Sequence, residues 1–167
     1  PRYQDGKFQQ NSRENAYLNR LLAFLQIGAI PDTLLDGYLE FTPIDCTADS
    51  IVDLITHPSN KNRIFHLFND NHIKITEFLH LLKLHNCVID VISENDFKAT
   101  IKNILNDNSR KSILNNLIND FDKGLNLSYT TNIILKSDTT KKYLKSIGFS
   151  WPNIDSSYVQ KIINCIE

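Results

Sequence analysis

Short apolar runs alternate with amphipathic helical stretches through the first half of this chain, and that alternation constrains the fold most. An apolar stripe every 3.6 residues asks for a helix with one covered face. A brief, nearly continuous apolar run asks for a strand covered on both. Residues 12–27 carry Tyr17, Leu18, Leu21, Leu22, Phe24 and Leu25 on one stripe. Asn11 or Ser12 is placed to cap this helix, Gly28 suits its left-handed end, and Pro31 blocks continuation. Residues 34–41 are mixed, with a turn signal at Asp36-Gly37. Residues 40–44 read as a short extended run in which Pro43 favours an edge or an end. Asp45 or Thr47 then caps a helix with Ile51, Val52, Leu54 and Ile55 inward, ended by residues 58–60.

Residues 63–68 read as a strand buried on both faces. Thr76 is the expected cap of a helix that turns Phe78, Leu79, Leu81 and Leu82 inward, and residues 87–92 form the next strand. Ser93-Glu94-Asn95-Asp96 resembles a capping box with Asp in place of Glu, ahead of Phe97, Ile101, Ile104 and Leu105. A further helix is expected over 109–123, with Ile113, Leu114, Leu117, Ile118 and Phe121 on one stripe and Gly124 at its end. Residues 129–135 read as extended or loop. Asp138 or Thr139 caps a short helix closed by Gly148, and 156–165 form the last one. The pattern predicts an α/β arrangement with a more helical second half.

Composition removes several classes of function. A net charge of −1 leaves no basic footprint for nucleic acid. No stretch approaches the roughly 20 apolar residues of a membrane span. Cys46, Cys87 and Cys165 are odd in number and widely spaced, as for reduced thiols in the cytoplasm. His57, His66, His72, His80 and His85 lack the spacing that puts two imidazoles on one helix face, so no metal site is expected. Met is absent from the sequence. The polar opening, residues 2–11, reads as the interior of a longer protein cut at an exposed connection.

The glycines narrow the chemistry further. Gly6, Gly28, Gly37, Gly124 and Gly148 are too dispersed to form the Gly-rich turn that a dinucleotide pyrophosphate requires. Tyr3 and Lys7 fit the Tyr-x-x-x-Lys pattern by letter. That pattern needs one helical turn between the two groups, and Asp5-Gly6 favours a turn of the chain instead. Asp45 and Asp49 suit a helix N-terminus. Trp151-Pro152 suits a chain turn packed on the core.

Three segments together resemble a known family. Residues 2–11, followed by Asn15-Ala16-Tyr17 and Arg20, look like the stretch after the catalytic region of thioester reductase domains. Those domains terminate nonribosomal peptide synthetases and carboxylic acid reductases, and belong to the extended short-chain dehydrogenase/reductases. Phe41-Thr42-Pro43-Ile44-Asp45 resembles the family's Phe-Thr-Pro-Val-Asp segment, and residues 63–69 its following strand. Thr140, Tyr143-Leu144, Gly148-Phe149, Trp151-Pro152, Ile154 and Tyr158 are similar to its C-terminal end.

The resemblance implies a C-terminal fragment of an extended Rossmann-type reductase. Residues 1–85 would hold elements returning to the Rossmann half and 86–167 a mainly helical substrate-binding part. The complete domain would bind NADPH and reduce the thioester on a phosphopantetheinylated carrier domain, releasing aldehyde or alcohol. The family's Gly-rich loop and catalytic residues lie upstream of the matched segments. The fragment alone is therefore expected to bind no cofactor and to be inactive, with the N-terminal Rossmann half of the same polypeptide as its partner. Carried over, Asp5, Gly6, Phe8, Gln9 and Asn11 would border the substrate cleft. Phe41, Pro43 and Asp45 would lie where the chain returns toward the active site. A plain turn at Asp5-Gly6 and a staple of Phe8 onto the first helix fit the same residues. Two other readings share the pattern: a non-catalytic carrier-docking module, or part of a fatty acyl reductase-like enzyme.

Overall fold

A computed structural model describes residues 1–7, 15–60, 63–127 and 137–166. Helix α1, Ala16–Ile27, starts later than the periodicity suggests. The cap is Asn15, whose side chain accepts the Leu18 N–H at 3.0 Å, while Asn11 and Ser12 lie outside the described residues. Gly28 ends the helix at φ 80°, a conformation that only glycine adopts without strain, and returns its N–H to the Phe24 carbonyl.

Strand β1, Ala29–Pro31, follows at once and pairs in parallel with β4, Asp90–Ile92. Parallel neighbours need a long crossover. Here it contains β2 (Tyr38–Leu39), helix α2 (Ile44–Thr56), β3 (Ile73–Lys74) and helix α3 (Ile75–Leu84). Strands β2 and β3 pair antiparallel, with Tyr38 opposite Lys74 and Leu39 opposite Ile73. The extended run expected at 40–44 makes no ladder; pairing stops at Leu39, and Pro43 stands at the N-cap position of α2.

Helix α4, Glu94–Asn106, has the expected cap. Ser93 Oγ accepts the Asp96 N–H at 3.2 Å and donates to the Asp96 carboxylate at 2.6 Å. The helix expected at 109–123 is replaced by two 3-10 segments, Lys111–Asn116 and Ile118–Asp120. The reason is local competition. Asp107 takes the Ser109 N–H and hydroxyl, and Asn and Asp side chains recur through the stretch, each an alternative partner for the backbone. Leu114 and Leu117 are nonetheless buried as the stripe requires. Arg20 reaches across to grip Asp120 with two hydrogen bonds of 2.6 and 2.7 Å, tying this segment to α1. Helix α5, Asp138–Ser146, and helix α6, Ser156–Ile163, complete the fold, and Asp155 caps α6 by accepting the Tyr158 N–H at 2.8 Å. Residues 129–135 lie outside the described residues.

Three further caps differ from expectation. Thr76 lies inside the first turn of α3, because the Ile75 N–H is satisfied by the Gly37 carbonyl from another loop. Asp138 and Thr139 lie inside the first turn of α5, behind Ser137. Asp45 lies inside α2 and turns its carboxylate to a distant segment.

The core has three clusters. The largest joins α1, α3 and α6 through residues such as Leu18, Leu21, Phe78, Leu82, Val159 and Ile162, so it draws on both sides of residue 85. A second collects Phe97, Ile101, Ile104 and Leu114. The third is small: Leu54, Leu144 and Trp151, so Trp151 packs on the core as expected, while residues 151–155 form no turn.

Two expectations about burial fail around that third cluster. Of the four apolar residues expected inward on α2, Leu54 is buried, whereas Ile51, Val52 and Ile55 are 44, 53 and 75% exposed. The run 63–68, expected as a strand covered on both faces, pairs with no strand among the described residues. Phe65 and Leu67 pack on the cluster, but Ile64 is 85% exposed.

Candidate functional site

The sequence places its candidates on two stretches, and the structure brings parts of both to one corner. The N-terminal segment folds into a turn in which Arg2 and Lys7 bond through their backbones and the Gly6 N–H returns to the Arg2 carbonyl. Tyr3 and Lys7 therefore do not share a helix face. Lys7 lies 3.9 Å from the Asp5 carboxylate, and it is Lys161 of α6 that stands by the Tyr3 ring, 5.5 Å from its centroid.

Asp45 holds this turn. Its two carboxylate oxygens accept the Tyr3 N–H at 2.8 Å and the Gln4 N–H at 2.9 Å, and the first also accepts the Cys46 N–H at 3.1 Å. Desolvation works against the charged carboxylate, but the Gln4, Tyr3 and Cys46 N–H groups together outweigh it and hold Asp45 below the ordinary carboxylate range. From the other side, Lys161 Nζ donates to the Tyr3 and Gln4 carbonyls, and the Tyr158 hydroxyl donates to the Pro1 carbonyl at 2.9 Å. Gly6 sits at φ 69°, and a Cβ there would lie 2.9 Å from Lys161 Cγ, so the turn and its close approach both select glycine.

Phe41 and Pro43 lie beneath. Phe41 is 7% exposed and stacks edge-on against Tyr17 at 5.2 Å and Tyr158 at 6.2 Å, with Phe78 at 5.3 Å. Pro43 is fully buried. Asp5 is exposed in the turn, and Phe8, Gln9 and Asn11 lie outside the described residues. The candidates thus divide: Asp45 and Gly6 shape the turn, Asp5 faces solvent, and Phe41 and Pro43 support the corner from within.

Asp45, Lys161 and Tyr158 hold the N-terminal turn at this corner. Burial raises the Tyr158 phenol, and burial with the Asp45 and Asp49 charges pushes the Cys46 thiol up to about 11. A thiol so shifted stays protonated at neutral pH and is a poor nucleophile.

Sequence reasoning passed over Asn69. It is fully buried, donates to the Phe41 carbonyl at 3.0 Å and to the Pro152 carbonyl at 2.9 Å, and accepts the Asn71 N–H. Asn71 in turn donates to the Trp151 carbonyl at 2.9 Å. Asn69-Asp70-Asn71 reads as a simple loop in the sequence, and nothing in its letters distinguishes a pin from a turn. Beside it opens a shallow cleft of about 620 Å³ edged by Tyr38, Asp70, His72, Glu77 and Asn153, with Asp70 paired to Lys141 at 2.6 Å.

The glycines do not fit a bound dinucleotide. The pyrophosphate needs glycine in a turn that leads from a strand into a helix N-terminus. Gly28 and Gly148 follow the C-terminal ends of α1 and α5, Gly6 lies in the N-terminal turn, Gly37 precedes β2, and the Gly124 N–H is held by Asp122. None opens a helix among the described residues.

Comparison with known proteins places this architecture. No family model matches the chain, and no curated protein does. Among solved structures, a thiolation–reductase di-domain from an archaeal nonribosomal peptide synthetase is similar over 99% of this chain, at 26% identity and a TM-score of 0.76. The terminal R domain of the myxalamid PKS-NRPS pathway is similar over 92% at 20% identity and TM-score 0.70. The reductase domain of the aureusimine cluster is similar over 95% at 18% and 0.68. The chain has the fold of a C-terminal portion of the thioester reductase domains of nonribosomal peptide synthetases, helix-rich with few short strands. It spans 33% of the length of the first of these solved chains, 38% of the second and 40% of the third. No helix among the described residues is long and apolar enough to cross a membrane.

Proposed function

We propose that this chain is the C-terminal, substrate-binding part of an NAD(P)H-dependent thioester reductase, acting on a peptidyl or acyl chain held by a carrier domain and releasing it as aldehyde or alcohol. The observation that carries this reading is the similarity over 99% of the chain to a solved thiolation–reductase di-domain. In this reading NADPH and the reacting groups belong to the rest of the domain, in keeping with glycines that suit helix ends and turns rather than phosphates. This chain's part is to shape the acyl-thioester side of the site, with the Asp45-held turn and the connector around Asn69 as its ordered rim.

The test is reconstitution. A complete polypeptide containing this chain, supplied with NADPH and a phosphopantetheinylated carrier bearing an acyl thioester, is expected to oxidise NADPH and release an aldehyde or alcohol. Hydrolytic release of a free acid without NADPH oxidation would overturn the assignment. The 167-residue chain alone is expected to show no NADPH binding by calorimetry; measurable binding would move the cofactor site into this chain.

A further inference from the structure

The cleft beside Asn69 has a size and a lining of its own. Its volume of about 620 Å³ falls inside the roughly 300–1,000 Å³ of small-ligand sites. Three stretches wall it: β2 at Tyr38, residues 70–77, and the connector at 153–154. These walls are fastened to one another. Strand β2 pairs with β3, Asn69 bridges the Phe41 and Pro152 carbonyls, and Asn71 Nδ2 donates to the Trp151 carbonyl at 2.9 Å. A ligand entering such a cleft has little protein left to order, which lowers the cost of binding.

The lining decides the charge of that ligand. Ile73 and Ile154 are buried and give it an apolar side, and Tyr38, 59% exposed, adds an aromatic ring. Glu77, in the first turn of α3, makes no hydrogen bond or ion pair among the described residues. Asn71 commits its amide nitrogen to the Trp151 and Pro152 carbonyls, so its Oδ1 is an open acceptor. No Lys or Arg lines the cleft. An anion would therefore meet the Glu77 carboxylate and no compensating ammonium or guanidinium. A metal ion is no better served. Asp70 is already paired to Lys141 at 2.6 Å, His72 stacks on Phe68, and no three His, Cys, Asp or Glu groups gather to hold a metal among the described residues. An organic cation meets a carboxylate, an amide oxygen and a ring.

We infer that this cleft binds an ammonium or guanidinium group on a short apolar stem, with Glu77 taking the charge, the Tyr38 ring flanking it, and Ile73 and Ile154 taking the stem. Such a group has two sources: a free amine, or a basic side chain on the acyl or peptidyl chain held by a carrier. The cleft's preference for a cation stands on its lining alone. The second source rests on the proposed reductase reading.

Ligand-observed NMR on the complete polypeptide tests the cleft, with pentylammonium as the probe and pentanol and pentanoate as its uncharged and anionic counterparts. One exposed ion pair and one ring are each worth little, so pentylammonium is expected to bind with a Kd of about 1 mM. Pentanol should bind roughly ten-fold more weakly, and pentanoate more weakly still. Glu77→Gln should weaken pentylammonium about five-fold, and Tyr38→Leu about three-fold. Both side chains are exposed, so an unchanged melting temperature checks that each variant folds. Equal binding of pentanol, tighter binding of pentanoate, or indifference to Glu77→Gln would overturn the inference.

A kinetic arm separates the two sources. NADPH oxidation is followed on the same preparation with carriers bearing ω-aminohexanoyl and heptanoyl thioesters, which differ in the terminal ammonium. A several-fold higher kcat/KM for the amino chain that Glu77→Gln abolishes places the cation on the carried chain. Glu77-dependent pentylammonium binding without that preference supports the cleft and assigns it to a free amine. The same binding with neither thioester reduced leaves the cleft standing and removes the reductase reading. Reduction of both thioesters without pentylammonium binding does the reverse.

Discussion

The corner built by the N-terminal turn, the start of α2 and α6 differs sharply from the exposed apolar face only a few residues away on the same helix. At the corner nearly every polar group has a partner. Asp45 takes three N–H groups, Lys161 two carbonyls, and the Tyr158 hydroxyl one more. On the outer face Ile51, Val52 and Ile55 are exposed, and the adjoining run 63–68 makes no backbone-to-backbone hydrogen bond among the described residues. One helix serves both: Asp45 in its first turn faces the satisfied side, and Ile55 near its end faces the open side. Internal satisfaction marks the surface this chain completes by itself. Its absence marks the surface that the described residues leave uncovered.

The contrast is broken most easily at the corner's base. Phe41→Ala removes a ring in contact with Tyr17, Phe78 and Tyr158. It should cost about 3–5 kcal/mol, as for a buried aromatic cut to Ala. Urea denaturation of the chain measures it, and a loss under about 1 kcal/mol would mean the corner is loosely packed.

Next in size is Asn69. Asn69→Ala leaves the Phe41 and Pro152 carbonyls without their donor at a buried position, at an expected cost of about 2–3 kcal/mol. Asn69→Asp is the sharper variant. It keeps the shape but presents a carboxylate to two carbonyls, and should destabilise at least as much as Ala at neutral pH.

Asp45 adds a pH dependence. Its carboxyl is lowered in the folded chain by the Gln4, Tyr3 and Cys46 N–H groups acting against desolvation. A depressed folded value means the stabilisation is fully present above the ordinary carboxylate range, near pH 4, and is lost as pH falls through the lowered folded value. Asp45→Asn should cost about 1–2 kcal/mol at pH 7 and flatten the stability profile in that acid window. A variant that keeps the wild-type acid limb would show that other carboxylates set it.

How much of this was legible in the sequence depends on where each residue's partner lies. Local signals read well. Gly28 ends α1, Ser93 caps α4, and Phe97, Ile101 and Ile104 are buried, because their partners sit within a turn or two. Distant partners did not read. Asp45 looks like a cap by its neighbours, yet its carboxylate is claimed by residues 41 and 42 positions away. Thr76 loses its capping role to the Gly37 carbonyl. Asn69 is a pin only because Phe41 and Pro152 converge on it. The α2 stripe is a different case. The periodicity expects Ile51, Val52 and Ile55 inward with Leu54, yet only Leu54 is buried, because a pattern of letters marks an apolar stripe and not the side on which the rest of the chain packs.

The smallest expected effect is also the one that sharpens the contrast most. In the 167-residue chain, Ile55→Ser should change stability by no more than about 0.5 kcal/mol, the usual range for a surface position. The isoleucine is 75% exposed there, so folding buries little of it to lose. On Leu54, its neighbour in sequence, the same change should be severe, since that side chain is 5% exposed and packs with Leu144 and Trp151. Paired urea titrations of the two variants would therefore read the two sides of α2 separately. If Ile55→Ser matched Leu54→Ser, the outer stripe would already be covered within this chain, and the division between a completed corner and an open outer face would collapse.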